Sequence, residues 1–307
     1  MHLQQRLAHL GGSVQHPMPN VRAVPTLRRR RLGNALKTYR LEAGLSGEAA
    51  ASVMGWDESK ISRIENAKAR MPPGDVPALL NAYGIEDAET VNALENLARD
   101  ASKQGWWQTY GDVVALSYTD YLTLESDAES VHVYTPSLIP GLLQTGAYAR
   151  EIIAATAITR TPVEVNALAE VRKTRQAILT TRAEGPLKLW AIIHEAALDL
   201  RSASQPTLMR DQLRHLLDMA DLPNVTIQVM DLHATAHPGM LGLFEVVRFP
   251  GPWPTLVNLE NLRGGYFVEG TDDVKAFENA FERVVAAALS VDDSRVKIKE
   301  IMEGNGT

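Results

Sequence analysis

Residues 45–70 restrict this chain more than any other stretch, through three positions at fixed intervals: Ala51, Gly55 and Ile61. Two helices that cross closely through a turn of three to four residues have three needs: a small side chain at the contact, a turn residue tolerant of positive φ, and an apolar plug between them. Ala51, Gly55 and Ile61 supply these in that order. From Ser59 onward the residues divide by face. Ile61 and Ile64 fall on one side, while Ser59, Ser62, Arg63 and Asn66 recur at i, i+3, i+4 and i+7 on the other. A solvated amphipathic helix divides in the same way, so periodicity alone decides little. Joined to the small–glycine–isoleucine spacing, it predicts a helix-turn-helix whose second helix turns a polar edge toward duplex DNA.

The net charge of −6 conceals an uneven distribution. Residues 1–80 hold twelve Lys and Arg against six Asp and Glu, and the rest hold nineteen against thirty-one. The basic excess coincides with the helix-turn-helix, as attraction to phosphate requires, and the acidic remainder is expected to stay off DNA. A chain of 307 residues has material for two domains. It contains no cysteine, which excludes disulfides, thiol catalysis and cysteine-rich zinc sites. No apolar run approaches the ~18 residues of a membrane span, and residues 1–25 lack the apolar centre of a signal peptide. A cytoplasmic protein without membrane contact is therefore expected.

Four segments follow from the pattern along the chain. Residues 1–25 read as a flexible N-terminal segment, with Met18 as a candidate start and residues 1–17 as a candidate tag or upstream extension. Residues 26–104 read as five short helices in one all-α domain. The first carries Leu32, Leu36, Tyr39 and Leu41 inward and stops at Ala43-Gly44; Ser46, Asp57 and Asp87 are placed to cap the second, third and fifth. Residues 105–290 read as a mixed α/β domain. Apolar runs at 187–193, 225–230, 244–249 and 255–259 have strand length and β-branched content, and helical patterns occupy 146–155, 162–179, 207–220 and 272–289. Residues 291–307 read as a short charged helix and a frayed tail. The expected class is α+β multidomain.

Several residues invite a chemical reading. Arg28, Arg29, Arg30 and Arg31 are expected on DNA phosphates or in a minor groove, the alternative being the solvated start of a helix. Lys60, Lys68 and Arg70 are also expected to meet phosphates. Trp106, Trp107 and Tyr110 line either a small-molecule pocket or, by preference, a domain interface. Asp231, His233 and His237 have metal-like spacing without a third ligand in view, and loop histidines are the better reading. His194, Glu195 and the carboxylates Glu125, Glu129, Glu260 and Glu269 are not brought together by any pattern. Arg263-Gly264-Gly265 reads as a turn. No catalytic residue, metal or cofactor is expected.

The first domain resembles the Xre (Cro/C1-type) helix-turn-helix family. The resemblance lies in Arg31-Leu32-Gly33, Leu36, Arg40, Gly44-Leu45-Ser46, Ala51, Gly55 and the run Ser59-Lys60-Ile61-Ser62-Arg63-Ile64-Glu65-Asn66. The second resembles the uncharacterised C-terminal domain that follows this motif in many actinobacterial regulators. Its most specific stretch is Leu138-Ile139-Pro140-Gly141-Leu142-Leu143-Gln144-Thr145-Gly146-Ala147-Tyr148-Ala149-Arg150, supported by Trp106-Trp107, residues 172–176 and residues 225–229. The resemblance implies a transcriptional regulator, often encoded beside a small acidic partner protein. It also implies base-reading positions at Glu58, Ser59, Ser62 and Arg63, and a structural ion pair of Arg40 with Glu65. Arg63 suits guanine O6 and N7, and Glu58 suits cytosine N4. Two positions depart from the pattern: Gly47 stands where a phosphate-holding glutamine is usual, and Ala67 where glycine is usual.

The expected function is sequence-specific binding of a double-stranded DNA operator. The second domain is expected to sense a small-molecule effector or partner protein and to hold a homodimer, with residues 162–179 and 272–289 as candidate interface helices. The alternative is an antitoxin-like module that binds a small partner protein and regulates its own gene. An enzymatic second domain is the less favoured third reading.

Overall fold

The computed structural model describes residues 26–101, 105–156, 159–182, 185–202, 205–261 and 264–304. The expectations for residues 1–25, Arg263 and the tail after residue 304 lie outside the described residues.

The first domain consists of α1 (Leu27–Glu42), α2 (Gly47–Met54), α3 (Glu58–Glu65), α4 (Val76–Ala82) and α5 (Ala88–Asp100). The Ser46 hydroxyl accepts a hydrogen bond from Ala49 N at 3.0 Å, and the Asp87 carboxylate accepts one from Thr90 N at 2.8 Å, so both cap their helices. Asp57 precedes α3 in extended conformation but makes no side-chain capping bond, which corrects its expected role. Gly55 closes α2 in the left-handed region at φ 63°, as the spacing required. Leu32, Leu36, Ala51, Ile61, Ile64, Leu80 and Leu94 share one buried cluster. Leu41, expected inside, is 57% exposed because it lies on the far side of α1 from this cluster.

Gly33 lets α1 lie against the end of α3. A β-carbon there would sit 2.5 Å from the Glu65 carbonyl oxygen and 2.7 Å from that of Ile64, and backbone atoms cannot yield as side chains do. The same crossing is clamped by Arg40, whose Nε and Nη2 donate to the Glu65 carboxylate at 2.6 and 2.9 Å and whose Nη1 donates to Leu45 O at 2.6 Å. Both residues of the pair are buried. At Ala67 the backbone is left-handed (φ 58°), a conformation that glycine adopts without the crowding a β-carbon brings.

The second domain is built on a six-stranded sheet: β1 (Ser130–Thr135), β2 (Lys188–His194), β3 (Val225–Met230), β4 (Phe244–Arg248), β5 (Leu256–Asn261) and β6 (Gly264–Val268). The strand order is β3-β2-β1-β4-β5-β6. The first three strands run parallel, β4 pairs antiparallel with β1, and β5 and β6 each pair antiparallel with the strand before. Helices α7 (Gly146–Thr156), α8 (Pro162–Arg175) and α9 (Leu208–Met219) make the crossovers that parallel strands need. Thr161 and Glu164 form a reciprocal capping box at the start of α8.

Both faces of the sheet are covered. Val131, Val133, Leu189, Ala191, Ile193, Ile227 and Val229 point into one core with Tyr148, Ile152, Leu213 and Leu216. Their neighbours Tyr134, Ile192, Phe244 and Val246 point into the other, under Val274, Phe281 and Val284 of α10 (Thr271–Ala287). Covered faces explain the near-continuous apolar runs by which β2, β3, β4 and β5 were legible. α11 (Val291–Gly304) is packed rather than loose: Ile298 is buried in the first core and the Ser294 hydroxyl accepts from Val229 N at 2.9 Å. No described helix is long and apolar enough to cross a membrane.

Helix α6 (Leu116–Asp127) lies between the domains, packed against α1 and β6. Removing one member of the clamped pair in the first domain leaves a buried charge unmatched. Glu65→Ala is expected to lower unfolding free energy by about 3 kcal/mol, measured by urea denaturation.

Candidate nucleic-acid interface

The α2–turn–α3 unit presents one polar edge. Glu58, Ser59, Ser62, Arg63 and Asn66 are all exposed, whereas Ile61, Ile64 and Glu65 are sealed beneath them. The edge is pre-ordered by its own hydrogen bonds. Arg63 Nε donates to Ser59 O at 3.1 Å, and Asn66 Nδ2 donates to Ser62 O at 2.7 Å. Both side chains thus lie back along the helix. The open position at Gly47 is filled from α3: a β-carbon there would lie 3.3 Å from Glu58 Oε1, so the glutamate occupies the space over the start of α2.

Cations flank this edge. Lys68 and Arg70 are exposed just beyond α3, and Lys60 holds its ammonium 3.4 Å from the centre of the Trp56 ring. Arg29 is half-buried, and its pKa is lowered by burial and then by repulsion from Arg70, which places it on the same side as that group.

The other three arginines of the run, also expected on phosphates, are engaged with the second domain in this structure. Arg28 donates from Nε and Nη2 to the Asp127 carboxylate at 3.0 and 2.6 Å. Arg30 Nη2 donates to Asp120 at 2.5 Å. Arg31 is 7% exposed, its guanidinium carbon 3.9 Å from the centre of the Phe249 ring and 5.2 Å from Trp253. Burial lowers the Arg31 pKa to about 10, against the opposing pull of Asp127. All three therefore hold the second domain. A signal for this was present in the sequence: cations in the first turn face the positive end of a helix dipole, which is unfavourable unless acids answer them. Asp120 and Asp127 are those acids.

The aromatic group after the first domain packs within the second. Trp107 is buried with Val114, Leu122 and Val171, and Trp106 meets Trp107 and Tyr110 edge-on at 5.7 and 6.2 Å. The helices expected at the dimer contact both bury one face within their own domain, through Val165, Ala169 and Val171 on α8 and Val274, Phe281 and Val284 on α10. Asp231 accepts from His233 N and pairs with Lys297 at 3.0 Å, while His237 lies edge-on to Tyr134. His194 caps the following turn by accepting from Ala196 N, and Glu195 pairs with Lys297. Glu129 pairs with Lys188, and Glu269 accepts from Asn34. Gly264 and Gly265 belong to β6 rather than to a turn.

The motif at residues 138–150 forms a clasp joining α7, α8 and α9. Gln212 accepts from Thr145 N and donates to Leu143 O, both at 2.7 Å. Gln144 donates to Ile139 O and accepts from Arg172 Nη1 at 2.8 Å. Gln176 donates to Gly141 O and Gln144 O. Gly141 admits the guanidinium of Arg175, whose Nη2 would lie 2.4 Å from any β-carbon at that position.

Arg175 in turn enters a buried polar group that the sequence did not assemble. Its Nη1 donates to Tyr118 Oη at 3.0 Å and its Nε lies 3.3 Å from Glu125 Oε2. Tyr121 Oη bridges Glu125 and Glu245 at 3.1 and 3.2 Å, and Asn258 Nδ2 donates to Glu245 at 2.8 Å. Burial pushes the Glu125 carboxyl up despite Arg175. Burial also pushes Glu245 up to about 7, with Asn258 opposing and the neighbouring carboxylates adding to the shift. Glu245 was visible as an acid among the apolar residues of its strand, a pattern that requires a buried partner.

Residues 118–300 match the family model described as a domain of unknown function (DUF5753), and residues 31–94 match a helix-turn-helix domain model. No curated protein and no solved structure matches the chain.

The raised carboxyl has a pH consequence. The fold favours neutral Glu245, so its contribution is complete below the ordinary glutamate value of 4.5 and is lost as pH rises through about 7. Glu245→Gln, fixed in the neutral form, is expected to gain on the parent protein across that window by about 3 kcal/mol and by nothing further above it. Urea denaturation at a series of pH values reads the difference.

Proposed function

The chain belongs to the DUF5753 family, and we propose that it is a sequence-specific DNA-binding transcriptional regulator acting in the cytoplasm. The observation that carries this reading is the exposed polar edge of α3, with Ser59, Ser62, Arg63 and Asn66 open while the second domain is docked on the opposite side of α1. A helix two turns long, held rigidly by the Arg40–Glu65 clamp and the Gly33 contact, suits insertion into a major groove. Base edges would be met by Glu58, Ser59, Ser62 and Arg63, and phosphates by Arg29, Lys60, Lys68 and Arg70. Arg28, Arg30 and Arg31 have no part in that contact.

One such domain covers too little DNA to single out a site among genomic competitors, so the proposal includes a homodimer on two half-sites. The second domain is assigned the sensing of an effector, because its contacts with α1 set where the reading helix lies. A ligand acts on such a system only through unequal affinity for its arrangements.

Selection of bound duplexes from a random pool should return a defined site. On that site Arg63→Ala is expected to lose about 1–3 kcal/mol and to relax preference at one base pair, read from the same selection. The salt dependence separates the two groups of arginines. Neutralising Lys68 and Arg70 together should reduce the slope of log affinity against log salt by about 0.9 for each phosphate contact removed. Arg28→Gln with Arg30→Gln should leave that slope unchanged.

A further inference from the structure

A cavity of about 500 Å³ lies between the two domains, within the usual range for small-ligand sites. Its lining carries balanced charge, the guanidiniums of Arg28, Arg175 and Arg182 with the carboxylates of Asp100, Glu125 and Asp127, among which Arg28 is paired with Asp127 and Arg175 with Glu125. The indoles of Trp106 and Trp107, set edge to face, supply an apolar side. Arg175 is 8% exposed and its Nε makes no hydrogen bond, lying near Glu125 Oε2 but out of line with it.

We propose that this cavity is an effector site for a small zwitterion of the α-amino-acid class, with a flat or apolar side chain. A ligand of one sign would unbalance a lining whose charges, three of each sign, already offset one another. A zwitterion presents its carboxylate to the arginines and its ammonium to the acids, so each charge is answered when water leaves. The tryptophans then receive the side chain, where an aromatic group gains contact area and an ammonium gains a ring face.

The position of the cavity gives the ligand its effect. Arg28 and Asp100 belong to the DNA-binding domain and the other lining groups to the second, so the site is complete only while the domains are docked. The zwitterion binds the docked arrangement better than any separated one and shifts the population toward it. The clasp at Gly141, Gln144 and Gln176 fixes the helix end that carries Arg175, and so fixes one wall. The effector role rests on the regulator reading; the binding step does not.

The test is isothermal titration of the full chain, without DNA, by each standard α-amino acid in turn. Each amino acid that binds is compared with its decarboxylated amine and its deaminated acid. The expected result is saturable binding by at least one amino acid, weakened about tenfold or more by loss of either charged group. Thr174→Trp, which fills the cavity from an exposed position on α8, and Trp106→Ala are each expected to weaken it to the same degree without changing the melting temperature of the free protein. Absence of saturable binding by every amino acid overturns the proposal. So does equal binding of the amine or the acid alone, or undiminished binding by Thr174→Trp. Duplex binding by the same preparations is measured separately, so a failure of the regulator reading is distinguishable from a failure of the ligand site.

Discussion

Helix α1 is buried along two stripes, and the relation between the domains depends on that sharing. Leu32 and Leu36 lie in the first domain's core, while Leu27 lies in the core of the second. Between these stripes Arg31 is sandwiched with Phe249 and Trp253, and Trp253 itself touches both cores. Stacking suits this guanidinium because it is planar and weakly hydrated, so it gives up water more readily than an ammonium would. The charged contacts of Arg28 and Arg30 with Asp127 and Asp120 surround this apolar centre. Since the end of α3 is clamped to α1 through Arg40, the second domain has a short mechanical route to the reading helix: one ion pair and one glycine contact.

Features governed by local stereochemistry were legible in the sequence. The Ala51–Gly55–Ile61 spacing, the caps at Ser46, Asp87 and Thr161, and the covered strands β2, β3, β4 and β5 each depend on residues within a turn or a strand of one another. Features governed by what lies across an interface were not. Helix α6 has Leu122, Thr123, Leu124 and Glu125 buried in succession, because it is enclosed on several sides, so it carries no 3.6-residue division to read. Strand β1 alternates His132 with Val131 and Val133, and its polar residue is accommodated by the rings of Trp190 and Phe281 and by Arg248. Strand β6 begins with two glycines, which read as a turn until Asn258 is seen beside Gly265.

The arginine run shows the same division within a single motif. Four consecutive cations beside a DNA-reading unit suggest phosphate contacts from composition alone. Spacing on the helix separates them, since Arg28 and Arg31 point toward acids and rings of the second domain while Arg29 remains beside Arg70. The motif at residues 138–150 was recognisable as specific, but its chemistry emerges only in three dimensions. Its polar side chains satisfy backbone groups at a junction of three helices, and its glycine makes room for the arginine that anchors a buried carboxylate group. Such a stretch is constrained by packing and hydrogen bonding in the receiving domain, with no need for it to touch a ligand.

Two roles are therefore separated on the first domain. The edge of α3 is the one proposed for DNA, and the N-terminal half of α1 meets the second domain. Photo-crosslinking tests this separation most directly. A benzophenone side chain placed at Ser59 in the full-length protein, bound to its selected duplex, should crosslink to bases, whereas the same group at Asn34 should crosslink only to protein. Crosslinks to DNA from Asn34 with none from Ser59 would contradict the account.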